Sequence, residues 1–318
     1  MSDVPCERGI ILSGTGGVWQ ARVEGTAGTI RDVTLRGRLK QTRGDVRKLT
    51  VGDWVVLEED VRGGMWTVTE IQPRVSQLAR REPGRKHGER IVVANVDQVL
   101  IVFAAANPEP HLRMLDRFLV IAEGNKLHAR IVINKIELVG EPVARARFAD
   151  YTAAGYHVHF TSVLHRLGLT ELHDALAGRM SVLSGPSGVG KSSLLNAMYP
   201  GLNLRVGEIS LSVNKGRHTT VGALLHPLPD AGYVADTPGL REVGLWGLPP
   251  AHLDACFPEF RRYLNGCRFG DCSHQREPEC AVSAAVSAGA IAPERYQSYV
   301  KLHSELTETE RLRETHGR

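Results

Sequence analysis

The sequence predicts a multi-domain chain. An all-β barrel comes first, then a central α/β domain carrying a phosphate loop, then a mostly helical, zinc-binding C-terminal region. Three observations predict it. Short strands separated by turn residues crowd the first 75 positions. Beyond residue 90, continuous apolar strands alternate with amphipathic helices, the pattern of a parallel sheet covered on both faces. Near the end, three cysteines and a histidine fall within 14 residues. A chain of 318 residues exceeds one ordinary domain of roughly 100–200 residues. The divisions are placed at 1–75, 76–90, 91–250 and 251–318.

In the first division, Val18–Val23 and residues 33–39 alternate apolar with polar positions, and residues 54–57 and Trp66–Ile71 supply two more strands. Four or five such strands make a small antiparallel barrel, an architecture that often binds oligonucleotides. Residues 76–90 are polar and basic, contain Pro83, Gly84 and Gly88, and read as a linker. Residues 98–103 are a buried strand. A helix follows at 112–123 with Leu112, Leu115, Phe118, Leu119 and Ala122 on one face. Then come a strand at 129–133, a helix near 142–154 and a strand at His157–Phe160. The tail from Pro293 to Arg313 reads as a solvated supporting helix.

Charge divides unevenly. Residues 1–90 hold 16 Lys and Arg against 12 Asp and Glu, whereas the remainder holds 23 of each. The whole net charge of +4 therefore lies in the first 90 residues, with Arg74, Arg80, Arg81, Arg85, Lys86 and Arg90 at its end. A local basic excess attracts phosphate backbones. The longest apolar run, 99–106, is far short of the roughly 20 residues that cross a bilayer, and the N-terminus lacks a secretory apolar core. A cytoplasmic protein without a membrane partner is expected.

Gly185, Pro186, Ser187, Gly188, Val189, Gly190, Lys191 and Ser192 match GxxxxGK[ST] in full, followed by Ser193. The run sits between an apolar strand at 181–183 and a helix at 193–198, which is the context that gives the motif meaning. Glycines let amide groups close round an anion at a helix N-terminus. Lys191 would reach the terminal phosphates, and Ser192 would ligate Mg²⁺. Asp236-Thr237-Pro238-Gly239 follows another apolar strand and matches the DxxG of phosphate-loop GTPases, in which the Asp contacts Mg²⁺ and the Gly amide senses the γ-phosphate.

The guanine-reading NKxD normally lies downstream of both. Here Asn134-Lys135-Ile136-Glu137 stands upstream, after the strand ending at Ile133, and Thr161-Ser162-Val163 matches the loop that closes on the guanine carbonyl. The order is a circular permutation of the ordinary one. Glu137 replaces the usual Asp, and its extra methylene shifts the carboxylate by about 1.5 Å.

Cys267, Cys272, His274 and Cys280 follow the spacing C-x4-C-x-H-x5-C. Four such ligands fill a tetrahedral Zn²⁺ and leave no open position, so the site is structural. Cys6 and Cys256 are left over as buried or free thiols.

This set of motifs, with GRHTT at 216–220, resembles the RsgA (YjeQ/EngC) family of circularly permuted GTPases over nearly the whole chain. The resemblance implies an N-terminal OB-fold, rRNA binding by the flanking domains, and GTP hydrolysis stimulated by the small ribosomal subunit during its late assembly. It further implies GTP or GDP with Mg²⁺ as ligands, other assembly factors nearby, and a monomer. Thr219 or Thr220 would be the second Mg²⁺ ligand. Leu240 stands where a water-orienting Gln is usual, and His218 is the polar candidate for that role by analogy with the family. Two other classes compete: an RNA-binding regulator that binds GTP without useful hydrolysis, and an ATP-using phosphotransferase, against which NKIE argues.

Overall fold

The computed structural model describes residues 6–25, 28–36, 48–59, 65–81, 89–204, 223–236 and 248–316. Strands β1 (Cys6–Thr15), β2 (Val18–Val23), β3 (Ile30–Leu35), β4 (Trp54–Glu59) and β5 (Trp66–Ile71) close into a barrel in the order β1-β2-β3-β5-β4. All neighbours are antiparallel except β3 and β5. Ile11, Ala21, Val23, Val33, Val55, Leu57, Trp66 and Val68 fill its interior. This is the OB-fold of the sequence reading, with β1 as the strand that alternation alone does not reveal.

Residues 76–90, read as a linker, hold paired strands instead. β6 (Gln77–Arg81) and β7 (Glu89–Ala94) form an antiparallel ribbon. Asn95 ties this ribbon to the barrel by accepting from Val75 N–H and donating to Gly52 O, at 3.0 and 2.9 Å.

The central domain is a six-stranded sheet in the order β10-β9-β8-β11-β13-β12. Its strands are β8 (Gln98–Ala104), β9 (His128–Asn134), β10 (His157–Phe160), β11 (Met180–Ser184), β12 (Leu224–Pro227) and β13 (Tyr233–Asp236). Only β12, at one edge, runs antiparallel. Every residue of β8 and β11 is buried, as expected of strands covered on both faces. Helices α1 (Leu112–Gly124), α2 (Glu141–Arg147), α3 (Ala149–Ala153), α4 (Leu169–Leu176) and α5 (Lys191–Met198) connect the strands. The single helix expected near 142–154 is two, broken at the fully buried Phe148.

Four short 3-10 turns follow between Pro250 and Gly266, then α6 (Ala281–Ser287) and α7 (Pro293–His316). The solvated tail helix of the sequence reading needs correction. One face of α7 buries Tyr299, Leu302 and Leu306, and Arg295 on it is 2% exposed. The reason is geometric: α7 lies against α1 and the turns, where Phe257 and Phe260 stack and Tyr299 meets both edge-on. Among the described residues, no helix is long and apolar enough to cross a membrane.

Candidate active site and metal centre

The loop from Gly185 to Gly190 joins β11 to α5 at the C-terminal edge of the sheet, where open α/β sheets bind ligands. Gly185, Gly188 and Gly190 have φ of 136°, 78° and 96°, the left-handed side that glycine tolerates. Two of them also allow close approach. A Cβ on Gly185 would stand 2.0 Å from Val102 O, and one on Gly190 would stand 2.5 Å from Asn134 Nδ2. The amides of Ser187, Gly188, Val189 and Gly190 donate no hydrogen bond among the described residues. Those free donors immediately precede α5, whose first backbone bond runs from Leu194 N–H to Gly190 O. Lys191 Nζ donates to Gly185 O and Pro186 O at 2.9 and 2.7 Å, so its ammonium lies over the loop. Ser192 is 5% exposed, and its hydroxyl makes no hydrogen bond among the described residues.

The second half of the site ends β9 and β10. Asn134 is 2% exposed and donates from Nδ2 to Val189 O at 2.9 Å, while its Oδ1 accepts from the Thr161 hydroxyl at 3.2 Å. Lys135, with φ of 61°, donates to Gly188 O at 2.7 Å and to Asn107 O. The NKIE turn is thus bonded to the phosphate loop although the two lie about 50 residues apart in sequence. Glu137 follows on a 3-10 turn (Ile136–Leu138), half-buried, with Oε2 fully buried and unpartnered. Asp236 ends β13, next to β11.

In the C-terminal lobe, Cys267, Cys272, His274 and Cys280 bring one ligand atom each within 4.8 Å of one another. His274 Nδ1 stands 3.5 Å from Cys267 Sγ and 3.4 Å from Cys280 Sγ, and those two sulfurs are 3.9 Å apart. Tetrahedral zinc with bonds of about 2.3 Å to sulfur and 2.0 Å to nitrogen requires edges of about this length. The outer nitrogen, Nε2, faces Asp254 Oδ2 at 3.4 Å. Burial works against the Asp254 charge, but the His274 ring and the Ala255 amide outweigh it and lower its pKa. Glu277 organises the loop by accepting from Ser273 N–H and Oγ–H at 2.8 and 2.6 Å, and from Gln275 and Arg276 amides at 2.9 and 3.0 Å. Against the burial penalty, those bonds bring its carboxyl down to about 2. The hydroxyls of Tyr296 and Tyr299 on α7 hold His274 O and Ser273 O at 2.7 and 2.8 Å.

A family profile described as RsgA GTPase matches residues 71–246. The small ribosomal subunit biogenesis GTPase RsgA of Gemmatimonas aurantiaca is 59% identical over 299 residues, covering 94% of this chain and 97% of that one. The chain belongs to the RsgA GTPase family. The protein of the same name from Azotobacter vinelandii is 40% identical, over 96% of this chain and 88% of its own. Among solved structures, YjeQ from Thermotoga maritima superposes with a TM-score of 0.79 at 35% identity, covering 95% of this chain and 99% of that one. YloQ, described as a circularly permuted GTPase, gives 0.74 at 29% identity, with 96% of each chain covered. GTP hydrolysis is the activity for which the RsgA family is named.

Within this RsgA-family chain the structure brings together Asn134, Lys135, Glu137, Thr161 and Ser162 with the loop 185–190, Lys191 and Ser192. His218, Thr219, Thr220 and Gly239 lie outside the described residues. The closing loop read from the sequence, Thr161-Ser162-Val163, keeps one free backbone donor among the described residues. The amides of Thr161 and Ser162 are already committed, to Ile133 O at 2.8 Å and Leu167 O at 3.1 Å, whereas the Val163 amide makes no bond. The return bond from Leu167 N–H to Ser162 O closes this loop, and nothing in the local sequence marks it. Of the leftover thiols, Cys6 is exposed and Cys256 is buried; burial, with Glu123 nearby, pushes the Cys256 thiol up to about 12.

Proposed function

We propose that this protein is a GTPase of small-subunit assembly: it binds the small ribosomal subunit and its rRNA in the cytoplasm and couples GTP hydrolysis to late subunit maturation. The observation that carries the nucleotide part is the Asn134 Nδ2 bond to Val189 O, which seats a permuted base-reading motif on a phosphate loop. The free amides of residues 187–190 and the ammonium of Lys191 would cradle the β- and γ-phosphates. The unbonded Ser192 hydroxyl at the head of α5 fits a magnesium ion, with Thr219 or Thr220 and Asp236 completing its protein partners. Magnesium would neutralise charge on the transferring phosphoryl group. Asn134 braces the base side against the loop, and Glu137 reads the base. One zinc ion, held by Cys267, Cys272, His274 and Cys280, would brace the C-terminal lobe, since Asp254 at the outer nitrogen of His274 is the usual second partner of such a ligand.

Phosphoryl transfer needs an oriented water. With Leu240 after DxxG, the isolated chain lacks the usual orienting side chain, so hydrolysis should be slow until a partner completes the site. His218 is the side chain proposed to place the water. The test is single-turnover hydrolysis with and without small subunits, alongside nucleotide-dependent co-sedimentation. The expected result is stimulation of at least about a hundredfold, lost in His218→Ala with GTP binding intact. Equal turnover with and without subunits, despite co-sedimentation, would support the competing reading of a regulator that binds GTP without useful hydrolysis.

A further inference from the structure

Glu137 carries one methylene more than the aspartate usual at its position. To present both carboxylate oxygens to a base, the backbone would have to retreat by about 1.5 Å. It is tied in place. Ile136 N–H donates to Thr161 O at 3.2 Å, Leu138 N–H to Lys135 O at 3.1 Å, and Gly140 N–H to Ile136 O at 2.8 Å. Lys135, one residue before this turn, is itself bonded to Gly188 O and Asn107 O. The side chain answers by turning. Oε2 is fully buried with no partner, and Oε1, which takes no hydrogen bond among the described residues, is the oxygen left open to solvent.

The pocket therefore presents one acceptor from Glu137. The Thr161 loop, held to the turn by the Ile136 bond, adds one free backbone donor, the Val163 amide. One donor and one acceptor match the O6 and N1–H of a 6-oxopurine. Guanine and hypoxanthine share that edge. The 2-amino group, which alone separates them, would need the second oxygen. Adenine offers an amino donor and a bare N1 instead, and meets mismatches at both.

We propose that this site takes 6-oxopurine nucleotides as a class, with inosine nucleotides accepted nearly as well as guanine nucleotides, because Glu137 reads N1–H and leaves the 2-amino group unread. The proposal rests on the reading of this pocket as the base site of a GTPase. A group that a site does not hydrogen-bond contributes little to discrimination, whereas a mismatched buried polar group is rejected strongly.

The experiment is equilibrium binding of GDP, IDP and ADP to the full-length protein with Mg²⁺. IDP is expected within about tenfold of GDP, with ADP weaker than both by about a thousandfold or more. A GDP preference over IDP beyond that tenfold bound overturns the proposal while leaving the guanine reading intact. GDP binding no tighter than ADP overturns both. Glu137→Asp is the second arm. Restoring the shorter side chain is expected to raise the GDP-to-IDP preference by at least about tenfold, chiefly through tighter GDP binding. An unchanged ratio in the folded variant also counts against the proposal.

Discussion

His159 shows how one charged neighbour decides what a histidine cluster can do. With His157 on the same strand and Glu171 on α4, it forms a compact group of metal-ligand type. Yet Arg130 Nη1 stands 3.4 Å from His159 Nε2, and an arginine can only donate. The ring must accept at Nε2 and so carries its proton on Nδ1, which stands 3.4 Å from Glu171 Oε1 but off the line of a hydrogen bond. A ring in that tautomer is occupied by its neighbours rather than offered to a cation. Burial, then the nearby His157, with Glu171 opposing and Arg130 assisting, lowers its pKa from 6.5 to about 4. The sign of the effect on stability follows. Above pH 6.5 the ring is neutral in both the folded and unfolded chain and contributes nothing to pH dependence. Between 6.5 and about 4 the unfolded chain takes up a proton that the folded chain refuses, so stability falls with falling pH. The slope from this residue is up to about 1.4 kcal/mol per pH unit. Denaturant unfolding at pH 7 and pH 5 measures it, and His159→Gln should show a smaller loss over that interval than the wild type. Equal losses would mean that other groups set the acid sensitivity.

Among the elements, the β11–loop–α5 unit is the one most fully specified by its own residues. Gly190 must be glycine twice over: its φ is 96°, and any Cβ would press on Asn134 Nδ2 at 2.5 Å. Gly190→Ala is therefore expected to displace Asn134 from Val189 O and to weaken GDP binding by at least about tenfold, an effect of more than 1.4 kcal/mol. The barrel and sheet should stay folded, so circular dichroism alongside calorimetric binding separates site damage from unfolding. This unit was legible because its glycines, lysine and serine sit at fixed spacing between a strand and a helix. The same holds for β2, β5 and β10, whose bounds coincide with the sequence expectation. β1 was not legible, for a physical reason. Ile11 points into the barrel, while Ile10 and Leu12 point outward into the shared core with the sheet, so both faces are buried and no alternation appears. The β6–β7 ribbon was hidden by the Pro and Gly of its connection. α7 was misread because its fully buried positions are few, Arg295, Ser298, Tyr299, Leu302 and Leu306, with Tyr296 and Val300 only partly buried and several charged positions between them exposed. In the site, motif residues and the closing loop Thr161–Val163 were readable, but which amide of that loop stays free and how the Glu137 carboxylate turns depend on bonds between loops that no local pattern encodes.

Across the whole molecule, the nucleotide domain and the lobe that carries the Cys₃His cluster share one core. Val99, Ile101 and Phe103 of β8, Leu115 and Phe118 of α1, and Phe257, Phe260 and Tyr299 belong to a single buried cluster. Through it runs a buried ionic link. Arg295 on α7 reaches Asp116 on α1 at 2.6 Å and Glu259 at 2.7 Å, and Tyr151 donates to Asp116 at 2.9 Å. Two outer pairs, Arg117 with Glu305 at 2.5 Å and Arg261 with Glu123 at 2.5 Å, fasten α1 from the surface. The barrel keeps its own interior, with Trp66 in it and Trp19 against it, while Ile10, Leu12, Val51 and Trp54 on its outer side join the shared cluster. Cooperativity should follow these boundaries rather than the order of the chain. The lobe is tied to its cysteine cluster by Tyr296 and Tyr299, so losing a metal ion held there would loosen α7 and uncover Asp116 and the outer face of α1. Chelation should therefore lower the thermal midpoint of the GDP-binding domain, even though the cluster and the phosphate loop occupy different parts of the fold. GDP at about 100 times its Kd stabilises the domain that binds it by about 2.7 kcal/mol, which marks that domain's transition in a thermal scan. The transition shifted by GDP is expected to be the one that moves down on chelation, while the barrel transition, followed by the fluorescence of Trp19 and Trp66 in a variant with Trp54 and Trp246 replaced by Phe, moves less. A GDP-sensitive midpoint that is unchanged after complete metal removal would show that the shared core does not couple the two regions.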